Sequence, residues 1–375
     1  MRNLVFALAL LLSQNIFAAQ DLSFDANCLR ANDRATISFV GDILVHKAIY
    51  ESVVKNSKRF ASTWRRTIPY FAKADFSVGN LEGPAAMGID AKGKDHGDIG
   101  FVYDGVVYSG TNFVFNYHPQ ILAELNQSGF DLLTVANNHS LDRRSIGIDR
   151  TLQAAEVYKM PTIGTRMSKD TNGDFHRVMD INHIRVAFIS CTEATNGMAD
   201  PANQVLRCYN NEQLMKTIKD LSSRSDIDAV IVYPHWGEEY EPAPNKNQKI
   251  YARKYLEAGA TAVIGSHPHV LQPWETYRTK DGRETLIAYS LGNFLAGQPG
   301  LEKQTGAIIY MGLSKEGPGK AKIFGVGYTP TYRDGFEIYP IESGGKTDVL
   351  NHAAKYFGTN GRLDLATTLE QKFCN

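Results

Sequence analysis

The sequence predicts an α/β fold, built as one mixed sheet or as two sheets packed together, and three observations carry that prediction. Short apolar runs of strand length alternate with helical patterns between residues 35 and 264, the order expected when helices cover the faces of a largely parallel sheet. From residue 286 onward the apolar runs follow one another with Gly- and Pro-containing turns between them, which is the mark of antiparallel hairpins. No repeat, low-complexity tract or Pro/Ser-rich linker divides the chain, so a single large domain is expected.

Composition limits the alternatives. Of 375 residues, 43% are hydrophobic and 10% aromatic, enough apolar mass for a large core and too much for a disordered or fibrous chain. Lys and Arg number 40, as do Asp and Glu. The balance argues against a broad basic surface, so no nucleic-acid partner is expected.

Taken in order, Arg2 precedes the apolar run at residues 4–12 (LVFALALLL), and Ala18 and Ala19 follow. This predicts a secretory signal over residues 1–18, shorter than the roughly 20 apolar residues of a spanning helix. Export to the periplasm or beyond is expected, with an uncleaved N-terminal anchor as the alternative. Buried strands are predicted at 35–40 (ATISFV), 76–78, 132–135, 184–190 (IRVAFIS), 229–233 (AVIVY) and 262–264. Helical spacing occurs at 119–127, 148–158, 212–221 and 248–258. The antiparallel strands are predicted at 286–289, 307–313, 321–328 and 336–341. Residues 88–98 (GIDAKGKDHGD) read as a polar loop. The domain is expected to span 30–342, with a helical tail over 343–375 packing on it.

Export permits disulfides. Cys28, Cys191, Cys208 and Cys374 form an even set with three possible connectivities. The favoured one is Cys191–Cys208, closing a short loop, with Cys28–Cys374 joining the termini; four unpaired thiols are the alternative. No C-x-x-C spacing suggests a metal role for them.

Polar groups recur just beyond the apolar strands: Asp42 and His46 after the first, Asn80 and Glu82 after the second, Asn138, His139 and Asp142 after the third. His235, Trp236, Glu239 and Tyr240 follow the strand at 229–233, and His267 and His269 follow that at 262–264. In open α/β sheets ligands bind beyond the carboxyl ends of strands. Imidazole and carboxylate together suit Zn, Mn or Fe, so one or two divalent ions are expected. Each residue alone has an ordinary structural explanation; their coincidence at several strand ends is what points to a site. His139, beside Asn138, is the candidate general acid, and Asp142 the group that orients it. Trp236, Tyr240, His46, Asn80, Glu239 and Asn293 are candidate substrate contacts.

The strings SFVGDILVHKAIY (38–50), ADFSVGNLEGP (74–84), GFDLLTVANNHSLDRRSIG (129–147), HWGEEYEPAPNKNQ (235–248), EAGATAVIGSHPHVLQPWE (257–275) and IAYSLGNF (287–294) resemble the CapA, or poly-γ-glutamate capsule-synthesis, family. That family is similar to calcineurin-like metallophosphoesterases. The resemblance implies a four-layer αββα sandwich of mixed sheets and a dinuclear metal site. Residue by residue, it implies Asp42, Glu82, Asn138, His235, His267 and His269 as ligands, with His139 as acid. The usual Asp-x-His opening of the superfamily is replaced by Asp42-Ile43-Leu44, and Glu82 stands where Asp is common.

The resulting expectation is a secreted metal-dependent hydrolase. Its substrate is an anionic or peptide-containing capsule or envelope polymer, cut at a phosphoester or γ-glutamyl amide bond. The alternative is a non-catalytic assembly or polymer-binding subunit of a capsule-synthesis membrane complex that retains the metal pocket.

Overall fold

A computed structural model describes residues 21–26, 28, 31 and 33–374; the predicted signal at 1–18 lies outside the described residues. Along the chain run β1 (Asp33–Ile43), α1 (Lys47–Asn56), α2 (Ile68–Phe71), β2 (Phe76–Leu81), β3 (Ser109–Thr111), β4 (Val114–Asn116), α3 (Gln120–Gln127), β5 (Leu132–Thr134), α4 (Arg144–Val157), β6 (Thr162–Ile163), β7 (His176–Ile181) and β8 (Ile184–Thr192). There follow α5 (Glu212–Ser223), β9 (Ala229–His235), α6 (Lys246–Glu257), β10 (Ala262–Ile264), β11 (Leu271–Arg278), β12 (Glu284–Leu291), β13 (Asn293–Leu295), α7 (Leu301–Gln304), β14 (Thr305–Lys315), β15 (Lys322–Asp334), β16 (Glu337–Pro340), α8 (Thr347–Phe357) and α9 (Leu369–Phe373).

The strands form two large mixed sheets. One has the order β16-β15-β14-β1-β2-β5-β6, with β13 also pairing β1; the other has the order β11-β12-β10-β9-β8-β7. Parallel pairs occupy the centres, β1 with β2 and β2 with β5 in the first sheet, β8 with β9 and β9 with β10 in the second. Side chains alternate along each strand, and the alternation builds three apolar layers. Ile37, Phe39 and Val78 face Val186, Phe188 and Ile231 between the sheets. Val40 and Leu133 point the other way, onto Ile49, Tyr50 and Val53 of α1 and Ile121 and Leu125 of α3. Ala187, Ile189 and Val232 meet Leu214 and Ile218 of α5 and Tyr255 and Leu256 of α6. The result is helix, sheet, sheet, helix: the four-layer αββα sandwich.

Two details depart from the sequence expectations. The run at 286–289 does not open a hairpin series. It is part of β12, which closes a hairpin with β11 and pairs parallel with β10 in the second sheet, while the late hairpins of the first sheet run through β14, β15 and β16. Strands β7 and β11 carry polar residues at the sheet margins and have no apolar run to betray them. The turn from β7 into β8 places Asn182 and His183 at positive φ, a hairpin conformation Asn accommodates readily.

In the tail, Val349, Ala353 and Phe357 of α8 are buried, and Phe357 packs on Trp274 and Tyr328 at the edge of the inter-sheet core. Both cysteine pairs are bonded, Cys28 to Cys374 across 346 residues and Cys191 to Cys208 across 17. Cross-linking distant residues stabilises chiefly by restricting the unfolded chain. Cys28→Ser with Cys374→Ser is therefore expected to lower the unfolding free energy by about 2–5 kcal/mol. Denaturant titration of the variant against wild type checks this; superimposable curves would refute it.

Candidate metal centre

The strand ends of both sheets open onto one crevice. At the end of β1, a Cβ on Gly41 would lie 1.8 Å from the Gly292 carbonyl oxygen, so only glycine lets β1 and β13 approach this closely. The next residue, Asp42, is fully buried and held from two sides. Asn80 Nδ2 donates to its Oδ1 at 2.8 Å, and the His267 backbone N–H donates to its Oδ2 at 3.2 Å. Glu82 follows β2; its N–H donates to the Ile43 carbonyl, and its own carbonyl accepts from Tyr117 Oη. The β10 end enters the Gly265–His269 turn with His267 at φ 102° and His269 at φ 59°. Two non-glycine residues in left-handed conformations around one proline are a strained arrangement, and it aims both imidazoles inward.

His235, from the end of β9, lies at the centre. Its Nε2 stands 2.9 Å from Asn138 Oδ1, 3.0 Å from His267 Nδ1 and 3.4 Å from Glu82 Oε1. Its Nδ1 is 3.0 Å from Ser266 Oγ. On the other side of Glu82, His269 Nδ1 lies 3.3 Å from Asp42 Oδ2, and Nε2 lies 3.9 Å from Glu82 Oε1. Two ligand groups result, Glu82 with His235 and His267, and Asp42 with Glu82 and His269, each with its donor atoms within 4.8 Å of one another. Glu82 belongs to both.

The chemistry of the set fits divalent cations. Both Glu82 carboxylate oxygens are buried without a hydrogen-bond partner, and a carboxylate taken out of water without one is costly. Around His235 Nε2 three lone-pair atoms converge, more than a single N–H can serve. Electrostatics agree. Burial alone would raise the Asp42 carboxyl, but its hydrogen bond with His269 and the neighbouring imidazoles hold it below the usual aspartate range. Burial opposes charge on His269, yet Glu82 and Asp42 outweigh it and push it up to about 9. His267, buried beside His235 and His269, is driven well below the ordinary histidine value.

At the edge of this cluster, His139 Nδ1 lies 2.9 Å from Asp142 Oδ2, which also accepts the Phe115 N–H at 2.7 Å. The Phe115 ring meets the His139 ring edge-on at 4.7 Å. Burial lowers His139, but the hydrogen bond to Asp142 more than compensates and leaves it above the ordinary value. His46 also borders the crevice. Its Nδ1 accepts from the Gly297 N–H at 3.0 Å, and burial brings its pKa down to about 4.

The expected substrate contacts divide. Trp236 is wholly buried and turned to the opposite side of β9 from His235; its Nε1 donates to the Tyr289 carbonyl and its ring stacks with Tyr255. It is a packing residue, since adjacent strand residues point to opposite faces. Asn80 and Asn293 are buried with their amides engaged by protein. Asn80 Oδ1 accepts from Thr134 and Asn137, and Asn293 Oδ1 lies 2.9 Å from His269 Nδ1. Both position ligand-type side chains and contact no open space. Glu239 and Tyr240 are exposed at the rim.

Asn196, on the loop after β8, was not singled out by the sequence. Its Oδ1 accepts from Asn138 Nδ2 at 3.3 Å, which leaves Asn138 Oδ1 facing His235. The loop is closed by Cys191–Cys208 and by the Cys208 N–H donating to the Thr192 carbonyl. Asn196→Ala is expected to weaken manganese binding by about 10- to 100-fold, the usual effect of losing a residue that orients a ligand. Calorimetric titration measures it, and an unchanged Kd would show that Asn138 is oriented otherwise.

A family model described as bacterial capsule synthesis protein PGA_cap matches residues 36–298, a span holding every side chain of the cluster. The chain belongs to this capsule-synthesis family. Among similar proteins, the capsule biosynthesis protein CapA of Bacillus anthracis is 27% identical over 293 residues, covering 77% of this chain and 66% of that protein. The PGA biosynthesis protein CapA of Bacillus subtilis (strain 168) is 29% identical over 296 residues, covering 78% and 71%. The chain thus spans about two thirds of the length of these capsule-synthesis relatives. Among solved structures, a 5'-nucleotidase precursor from Thermus thermophilus aligns with a TM-score of 0.43 at 11% identity, covering 86% of this chain and 58% of that one. The family setting is capsule-related, and no helix among the described residues is long and apolar enough to cross a membrane.

Proposed function

We propose that the chain is an exported metal-dependent hydrolase that cuts a phosphoester or γ-glutamyl amide bond in a capsule or cell-envelope polymer. The observation that carries this reading is the Glu82 carboxylate, buried without hydrogen-bond partners where two groups of ligand-type side chains meet. Asp42, Glu82, Asn138, His235, His267 and His269 would hold one or two ions of Mn, Zn or Fe. Such ions supply a Lewis acid and a water acidified toward neutral pH.

The chain's own groups do the rest. Asp142 engages His139 Nδ1 and is itself fixed by the Phe115 N–H, so Nε2 is the nitrogen left to hand a proton to the departing group. The Phe115 ring packs between the His46 and His139 rings at the same edge. Export is supported by the N-terminal apolar run and by two disulfides, which persist in oxidising compartments.

A second reading, a non-catalytic subunit that handles polymer within a capsule-synthesis membrane complex, is favoured by the relatives' names, which speak of biosynthesis. Elemental analysis of protein purified without chelator tests the shared premise. Stoichiometric Mn, Zn or Fe is expected; none, even after incubation with each ion, would refute it. Turnover of phosphodiesters and γ-linked glutamate oligomers by the loaded protein then separates hydrolase from polymer handler.

A further inference from the structure

Outside the ligand cluster, a cation stands over an aromatic ring at the rim. The ammonium of Lys303, on α7, sits 5.1 Å from the centre of the Tyr240 ring and makes no direct ion pair among the described residues. Tyr240 is 41% exposed and its backbone is held at φ 67°. Its N–H donates to the Pro268 carbonyl at 2.7 Å, and its ring lies 6.0 Å from that of His269. One face of the ring therefore looks toward the crevice wall while the lysine stands over it.

The pair is built into the site by shared supports. Asn293 Nδ2 donates to the Lys303 carbonyl and to Gln298 Oε1, both at 2.8 Å, while Asn293 Oδ1 engages His269. Gln298 Nε2 reaches Tyr240 Oη at 3.4 Å. The amide that sets the His269 imidazole thus also sets the backbone of Lys303. The Glu239 carboxylate interacts with the Tyr240 hydroxyl, but Glu239 is exposed, so water and salt screen its charge. Lys303 falls just beyond the span that the family model matches.

We propose that Lys303 and Tyr240 form a subsite that binds an anionic group of the polymer, a carboxylate or a phosphate, beside the ligand cluster. A compact ammonium with three donors takes either group as a point charge. The aromatic ring gives the lysine a fixed seat without neutralising it. The subsite deepens the hydrolase reading by giving the substrate an anionic handle, and it rests on that reading only for the substrate's direction of entry.

Binding, not turnover, tests it. Calorimetry at constant ionic strength is run with three probes: a short γ-linked glutamate oligomer, the same oligomer with its carboxylates amidated, and inorganic phosphate. Wild type, Lys303→Gln and Lys303→Arg are each measured without metal and with manganese. At least one anionic probe should bind wild type without metal, about fivefold more weakly to K303Q, the scale of a rim charge pair. K303R should stay within about twofold of wild type, and the amidated oligomer should not distinguish the proteins. Carboxylate or phosphate as the recognised group is read from which probe responds. Equal binding of every anionic probe by wild type and K303Q, or no anionic binding without metal, overturns the subsite. Manganese binding recorded in the same titrations reports separately on the metal centre, so failure of one is not mistaken for failure of the other.

Discussion

Glu82→Gln will bind manganese or zinc at least about 100-fold more weakly than wild type. That exceeds the loss expected from a residue acting only through a ligand. The substitution keeps size and shape and removes one charge, so the change isolates the carboxylate's role. Glu82 is the only side chain common to both ligand groups, and its two oxygens have no protein partner to lose. The consequence reaches stability. A ligand that binds only the folded state stabilises it by about 4 kcal/mol at a thousandfold excess over Kd. Wild type should therefore melt at a higher temperature as manganese is added, while a variant weakened about 100-fold should gain only about 1.4 kcal/mol over the same range, about a third of the wild-type effect. A variant that binds the ion within threefold of wild type, or shows the same thermal response, would remove Glu82 from the centre.

His139→Ala should behave in the opposite way, with manganese affinity within about threefold of wild type and turnover down by about 10²- to 10⁴-fold, the usual worth of a positioned acid. The separation follows from geometry. His139 is engaged by Asp142 and lies against Phe115, whereas the two ligand groups are complete without it. Asp142→Asn should share the direction of the loss with a smaller amplitude, because the imidazole remains but its orientation is no longer enforced. Steady-state rates on whichever substrate turns over, alongside calorimetry, make the test. If the His139 variant hydrolyses at the wild-type rate, another group protonates the leaving atom. If neither protein turns over any substrate while both bind polymer equally, the polymer-handling reading stands.

The sequence reveals most where strands are buried on both faces. Such strands appear as unbroken apolar runs, and the abrupt change to Asp42, Glu82, Asn138, His235 and His267 marks where each leaves the core. Strands β7 and β11 stay hidden because an edge strand needs no apolar run; β11 carries Glu275 and Arg278 toward water. Face is the second blind spot. His235 and Trp236 are neighbours in sequence, and only the pleat decides that one enters the crevice and the other the outer core. Roles among amides are the third. Asn80 and Asn293 have the chemistry of substrate contacts, and only their saturation by protein partners shows them to be supports. Asn196 lies in a polar loop with no periodicity; the predicted Cys191–Cys208 pairing marks that loop, but nothing local advertises that it sets Asn196 beside Asn138.

Asp42, Glu82 and Asn138 come from one sheet, and His235, His267 and His269 from the other. An ion there would rivet the two halves of the sandwich, and its grip would depend on how far apart they stand. Enlarging a residue such as Ile37 or Val186, deep in the layer between them, would spread the jaws without touching a donor atom. Metal affinity would therefore also gauge how well the interior is packed.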